Sequence, residues 1–254
     1  AGEHKYNFYQ NIYCSSFSPQ ECDLLINQVK DFFPQITEDF KENCDKDINI
    51  EELDNAILCL KLDKSPSPDG LTANFYRHFW DYLREFIFQI FKKILCNNSL
   101  PHSMKQGVIT LIPKPGRDNK ILDNYRPITL LNCDYKLLTY IYTNRLKTSL
   151  KDVISETQTG FMSKRSIHDN IRLVQDLLEN SELIKDKGFI LLVDFYKAFD
   201  MLEHQFLFKV LHLFGFGPNF CRIIKSSYND TTSSVALPHG TSPCFTINGS
   251  KTGL

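Results

Sequence analysis

A carboxylate stands at the end of an unbroken apolar run in the stretch GFILLVDFYKAFD, residues 188–200. Residues 189–193 are all apolar and follow Gly188, the pattern of a buried strand rather than a half-exposed one. An acid at the tip of such a strand needs a hydrogen-bond donor, a cation or a metal. Asp194 is therefore either a metal ligand or a satisfied strand-end acid. Asp200-Met201-Leu202-Glu203 has the spacing of a capping box, which makes Asp200 the expected cap of the next helix. A second group of candidates is basic. Lys114, Arg117 and Lys120 lie between two β-like runs, residues 107–113 and 124–131, a hairpin whose loop can close over phosphates. Arg126 precedes a proline and is held extended. Its guanidinium can grip a triphosphate with two parallel hydrogen bonds, or the loop is simply a soluble basic one. A third group is Gln158, Gly160, Phe161, Lys164 and Arg165. Phe161 can stack on a base while Lys164 and Arg165 hold phosphates; the plain alternative is a loop anchored by a buried Phe.

The elements that must position these groups follow from caps and periodicity. Ser18-Pro19 and Asn49-Ile50-Glu51-Glu52 open helices in the acidic start of the chain. A long core helix is expected over residues 73–96, with a stop at Asn97, Asn98 and Pro101. Asp134 is expected to cap a helix to about residue 153, with Arg145 at the edge of its apolar face. Ser166 to Asp169 resembles another capping box, for a helix to about residue 184 faced by Ile167, Ile171, Val174, Leu177 and Leu178. Two further helices flank the stop at Gly215 and Gly217, and short strands follow around Pro238, His239 and Gly240.

Composition narrows the class. With 42% hydrophobic and 23% charged residues the 254-residue chain reads as globular,. No apolar run approaches the roughly 20 residues of a membrane helix, so no membrane partner is expected. The eight cysteines contain no CxxC pair, so neither a zinc site nor a disulfide partner is expected, and a reduced, intracellular setting (cytoplasm or nucleus) fits. The net charge of −1 hides an asymmetry. Residues 1–70 carry six basic and fourteen acidic side chains, whereas residues 101–172 carry twelve basic and six acidic ones. A polyanion is expected to meet the middle of the chain.

These motifs together resemble the reverse transcriptases of non-LTR (LINE-type) retrotransposons. DFYKAFD resembles the family's first catalytic motif, LIPKPG with NYRPITLLN its fingers signature, ETQTGFM with Arg165 its template-contacting motif, and KSPSPDG the element that opens its polymerase domain. In that last element Ser67 replaces the usual Gly, and Lys164 stands where members often have Gly. The resemblance implies an α/β (α+β) right-hand polymerase fold, fingers plus an incomplete palm sheet over residues 64–254, preceded by an acidic helical lead-in over residues 1–63. It implies that Asp194 binds magnesium (or manganese), and that Arg126, Lys114 and Phe199 meet the incoming nucleotide. Gln158, Gly160, Phe161, Lys164 and Arg165 would meet the template. The implied partners are an RNA template, a DNA primer and deoxynucleotide triphosphates. The family's Arg-Gln-Gly and Ala-Asp-Asp motifs do not occur in residues 1–254. The expectation is a C-terminally truncated polymerase, inactive by itself; the alternative is a non-enzymatic remnant that only binds nucleic acid.

Overall fold

The computed structural model describes residues 2–15, 18–184, 188–195 and 197–247; the stretch 248–254 lies outside them. Helices α1 (Gly2–Ile12), α2 (Pro19–Val29), α3 (Glu38–Asp45) and α4 (Ile50–Cys59) come first. Ser18, Thr37 and Asn49 start α2, α3 and α4 by accepting a first-turn amide,. At α4 the expected capping box is complete, with Glu52 reaching back to the Asn49 amide,. Where one helix was expected over residues 73–96 there are two, α5 (Ala73–His78) and α6 (Trp80–Asn97). The break is at Phe79, whose backbone leaves the helical region at φ −100° and ψ 16°. Asn98 then closes α6 in the left-handed conformation at φ 50°,. The chain continues through the short α7 (His102–Lys105), strands β1 (Gln106–Pro113) and β2 (Tyr125–Leu130), α8 (Cys133–Lys147) and α9 (Leu150–Val153). The helix expected to reach residue 153 is interrupted before α9, where the Thr148 hydroxyl bonds the Arg145 carbonyl at 2.7 Å and competes with the helical ladder. Helices α10 (Ile167–Ile184), α11 (His204–Leu213) and α12 (Pro218–Tyr228) and strands β3 (Thr232–Leu237), β4 (Gly240–Thr241) and β5 (Phe245–Thr246) complete the order.

The sheet runs β2-β1-β3-β4, with β5 also on β3. β1 and β3 are parallel, and the β1–β2 pair is the antiparallel hairpin expected from the sequence. Gly107 sits where β1 is crowded by its neighbours. A Cβ there would stand 2.5 Å from the Thr129 methyl carbon, so only glycine fits.

Core side chains come from both sides of residue 63. The main cluster joins Phe40, Cys44, Leu53 and Ile57 of α3 and α4 to Phe91 of α6, Leu137 and Ile141 of α8 and Phe220 of α12. A smaller cluster places Tyr9 of α1 and nearby Tyr13 against Ile109, Val235 and Phe245 of the sheet. Arg145 is not at the edge of α8 but buried, 3% exposed. Its guanidinium takes both Glu52 oxygens at 2.7 and 2.8 Å and the carbonyls of Cys44, Lys46 and Asp47 at 2.6–3.1 Å.

The buried strand expected at residues 189–193 is not formed. Residues 188–195 have no regular structure, and Leu191 and Leu192 are 84% and 89% exposed. Strand propensity is weak without a ladder partner and a packed face, and no described residue pairs with this segment. The helix α10 forms as expected, yet Ile167, Ile171, Val174, Leu177 and Leu178, its expected apolar face, are exposed.

Candidate nucleotide and template site

The β1–β2 hairpin pairs Ile112 with Arg126 and Pro113 with Tyr125. Alternation along β2 buries Thr129 and leaves Arg126 and Ile128 on the open face,. The connecting loop is tied at its base. The Lys114 amide donates to the Asn124 carbonyl at 2.8 Å, and the Lys114 ammonium donates to the Asp123 carbonyl at 2.9 Å. Tyr125 donates across the loop to the Asn119 carbonyl at 3.0 Å. Lys114 is thus partly engaged in holding the loop, whereas Arg126 is exposed.

The second loop, residues 154–166, is organised by Arg165. Its guanidinium donates to the carbonyls of Ile154, Ser155 and Gln158, so its donors face inward. Gln158 donates to the Gly160 carbonyl at 3.2 Å. The alternative of a Phe-anchored loop does not hold, because Phe161 is 94% exposed. Phe161 and Lys164 both have left-handed backbones, at φ 61° and 65°. That is the physical reason a glycine suits position 164.

Both loops meet the turn 197–200. The Phe161 ring stands edge-on to Phe199 with centroids 5.6 Å apart. Lys197 reaches the Asp123 carboxylate at 2.9 Å and lies 4.7 Å over the Phe8 ring. Asp200 does not cap the following helix. That helix, α11, starts at His204 with Glu203 in the cap position, and Asp200 instead is buried and accepts the Tyr13 hydroxyl at 3.0 Å. Lys114, Phe199 and Phe161 are brought into one chain of contacts through Asp123 and Lys197. Asp194 lies in the exposed stretch 188–195, three residues before Lys197. Sequence reasoning passed over Phe8, Tyr13, Asp123 and Lys197, since no local spacing marks a contact between residues more than seventy positions apart.

Comparison with known proteins bears on what this convergence means. The family model for reverse transcriptase (RNA-dependent DNA polymerase) matches residues 112–254. The chain belongs to the reverse transcriptase family. The matched region holds all of the β1–β2 loop, all of the second loop and the turn. The chain is 34% identical over 232 residues to the transposon TX1 uncharacterized 149 kDa protein of Xenopus laevis, covering 91% of this chain and 17% of that protein. It is 29% identical over 198 residues to the RNA-directed DNA polymerase from mobile element jockey of Drosophila melanogaster, covering 75% of this chain and 21% of the relative. To the probable RNA-directed DNA polymerase from transposon BS of Drosophila melanogaster it is 30% identical over 175 residues, 66% of this chain and 19% of that protein. This reverse transcriptase chain thus spans about a fifth or less of these relatives' length.

Reverse transcriptases generally use divalent metal ions. Two-metal chemistry needs carboxylates converging from separate elements. Among the described residues no group of three His, Cys, Asp or Glu side chains is placed to hold an ion. Asp194 offers a single carboxylate, which by itself does not make the site.

Proposed function

We propose that this chain forms the fingers and first palm elements of an RNA-directed DNA polymerase encoded by a non-LTR retrotransposon, acting inside the cell on an RNA template, a DNA primer and deoxynucleotide triphosphates. The observation that carries this reading is the turn 197–200. Three segments far apart in sequence, the β1–β2 loop, the loop 154–166 and α1, all touch it. Arg126 on the open hairpin face would take the triphosphate. Phe199 would lie under the sugar, and Phe161 beside it would stack on a template base. Lys164 is exposed and available to a phosphate, whereas Arg165 shapes the loop that carries Phe161. Asp194 would supply one of the acids that bind magnesium or manganese. No step is assigned through the ion, because the described residues do not complete its site.

The test is binding. A labelled RNA–DNA duplex bound to residues 1–254 should be held more tightly when the matching deoxynucleotide triphosphate is added, and Arg126→Ala should abolish that gain. Equal enhancement in the variant, or none in the wild type, would sink the assignment.

A further inference from the structure

We propose that α1 is a positioning element for the turn 197–200, and that Tyr13 acts through Asp200 to fix where Phe199 stands. The proposal rests on the reading of Phe199 as the nucleotide's sugar platform.

Three side chains from α1 and the residues just after it meet positions spaced by three along the turn and its exit. Phe8 underlies the Lys197 ammonium, the Tyr13 hydroxyl donates to Asp200, and the Ser15 hydroxyl donates to Glu203 at 2.7 Å. Each of those three lies within four residues of Phe199. The donor at Tyr13 is itself rigidly held. Its ring is 1% exposed and stacks with Tyr9 at 6.4 Å and Phe245 at 6.2 Å, in the cluster over the sheet. The hydroxyl therefore reports the position of β1, β3 and β5 to the turn.

The turn itself is not one the chain adopts by preference. Lys197 has φ 45°, a left-handed backbone that a non-glycine residue keeps only when its surroundings hold it. The amides of Asp200 and Met201 close the turn on the Lys197 carbonyl at 2.9 and 3.0 Å. Asp200 is 7% exposed, and a buried carboxylate requires donors; Tyr13 supplies one from outside the turn. Removing that hydroxyl takes from the buried acid the donor that ties it to the cluster over the sheet. The turn then opens toward water, carrying Phe199 away from Phe161.

Hydrogen exchange and nucleotide selection, measured together on residues 1–254, test this. In Tyr13→Phe the Asp200 and Met201 amides should exchange at least about ten-fold faster, the low end of what losing one buried hydrogen bond to a charged group gives. Exchange in α8 should stay as in wild type, which separates turn opening from global unfolding. Asp200→Asn, with Tyr13 in place, keeps an oxygen that accepts the Tyr13 hydroxyl and should keep the slow exchange of wild type. On an RNA–DNA duplex, Tyr13→Phe should also lower the preference for deoxy- over ribonucleotide triphosphate, and Asp200→Asn should keep it. Unchanged exchange in Tyr13→Phe overturns the proposal. Faster exchange with an unchanged preference, while Phe199→Val does shift it, overturns the link from Tyr13 to Phe199. An unchanged preference in Phe199→Val sinks the sugar-platform reading and the selection arm with it, and the exchange arm then decides the clamp alone.

Discussion

Replacing Arg145 with Met should strongly destabilise the fold. The guanidinium is 3% exposed and joins α8 to the start of α4 and to the segment after α3. Met fills similar volume, so the lost interactions rather than a cavity dominate. Left behind are the Glu52 carboxylate and the carbonyls of Cys44, Lys46 and Asp47. Hydrogen bonds to a charged group are worth about 1.5–3 kcal/mol each but do not add. Breaking a buried ion pair from one side costs about 3–5 kcal/mol, and we expect about 4 kcal/mol, or a midpoint lowered by roughly 10 °C. Arg145→Lys keeps the charge but not the planar fork, and should cost about half as much. The assay is urea unfolding followed by circular dichroism, with Glu52→Gln closing a double-mutant cycle. There is also a pH arm. Burial acts most strongly on Glu52 and raises its pKa, but the Arg145 hydrogen bonds, the Asn49 amide and neighbouring cations together outweigh it. The carboxyl is left below its ordinary value, so its contribution is complete above the unfolded-state pKa and is lost as pH falls through the folded one. That part of the acid-side slope should disappear in Arg145→Met. A variant within about 1 kcal/mol of wild type, inside the range of ordinary surface changes, would refute the assignment of Arg145 as the link between the two halves of the core.

Lys164→Gly should stabilise the protein by about 0.5–1 kcal/mol by relieving its left-handed backbone,, while lowering the salt dependence of duplex binding by about one phosphate; an unchanged salt slope would remove Lys164 from the template surface. Ser67→Gly, although it restores the residue common in the family, should cost about 1–2 kcal/mol, because the buried Ser67 hydroxyl donates to the Leu131 carbonyl at 2.7 Å; equal stability by thermal melting would refute that role. Purified residues 1–254 should not extend a primer on RNA with magnesium or manganese, since alignment of the reacting groups is most of what such sites contribute; extension that is lost in an Asp194 variant would show a working ion site although no group of three ligating side chains is placed among the described residues.

Local signals were read well and long-range ones were not. Caps at Ser18 and Asn49, the stop at Asn98 and the β1–β2 hairpin are set by neighbours within a few residues, and each is where the sequence placed it. The family and the fold class were legible from motif order, and the match over residues 112–254 bears both out. Residues 189–193 failed because an apolar run states a preference, while a strand also needs a partner. Asp200 has the spacing of a cap, yet a tyrosine 187 residues away takes it instead. Arg145 looked like a snorkelling edge residue because periodicity cannot see the carbonyls that converge on it from α3 and the loop beyond. At Ser67, where the family usually has Gly, the backbone is not left-handed and the hydroxyl bonds the Leu131 carbonyl, a contact that motif matching does not reveal.

The exposed run at residues 189–193 has a consequence for handling the protein. Five apolar residues without proline or charge, open to solvent, are the composition of segments that stack into cross-β aggregates,. Asp194 closes that run, and in a register-matched stack its carboxylates would fall on top of one another and repel. The side chain that carries the metal-binding expectation is therefore also a gatekeeper against self-association. Asp194→Ala, the usual inactive control, removes both properties at once, and the variant should lose soluble protein as well as any ligand. Asp194→Glu keeps the charge while displacing the carboxylate by a methylene, so a comparison of the two variants at equal soluble concentration separates chemistry from aggregation.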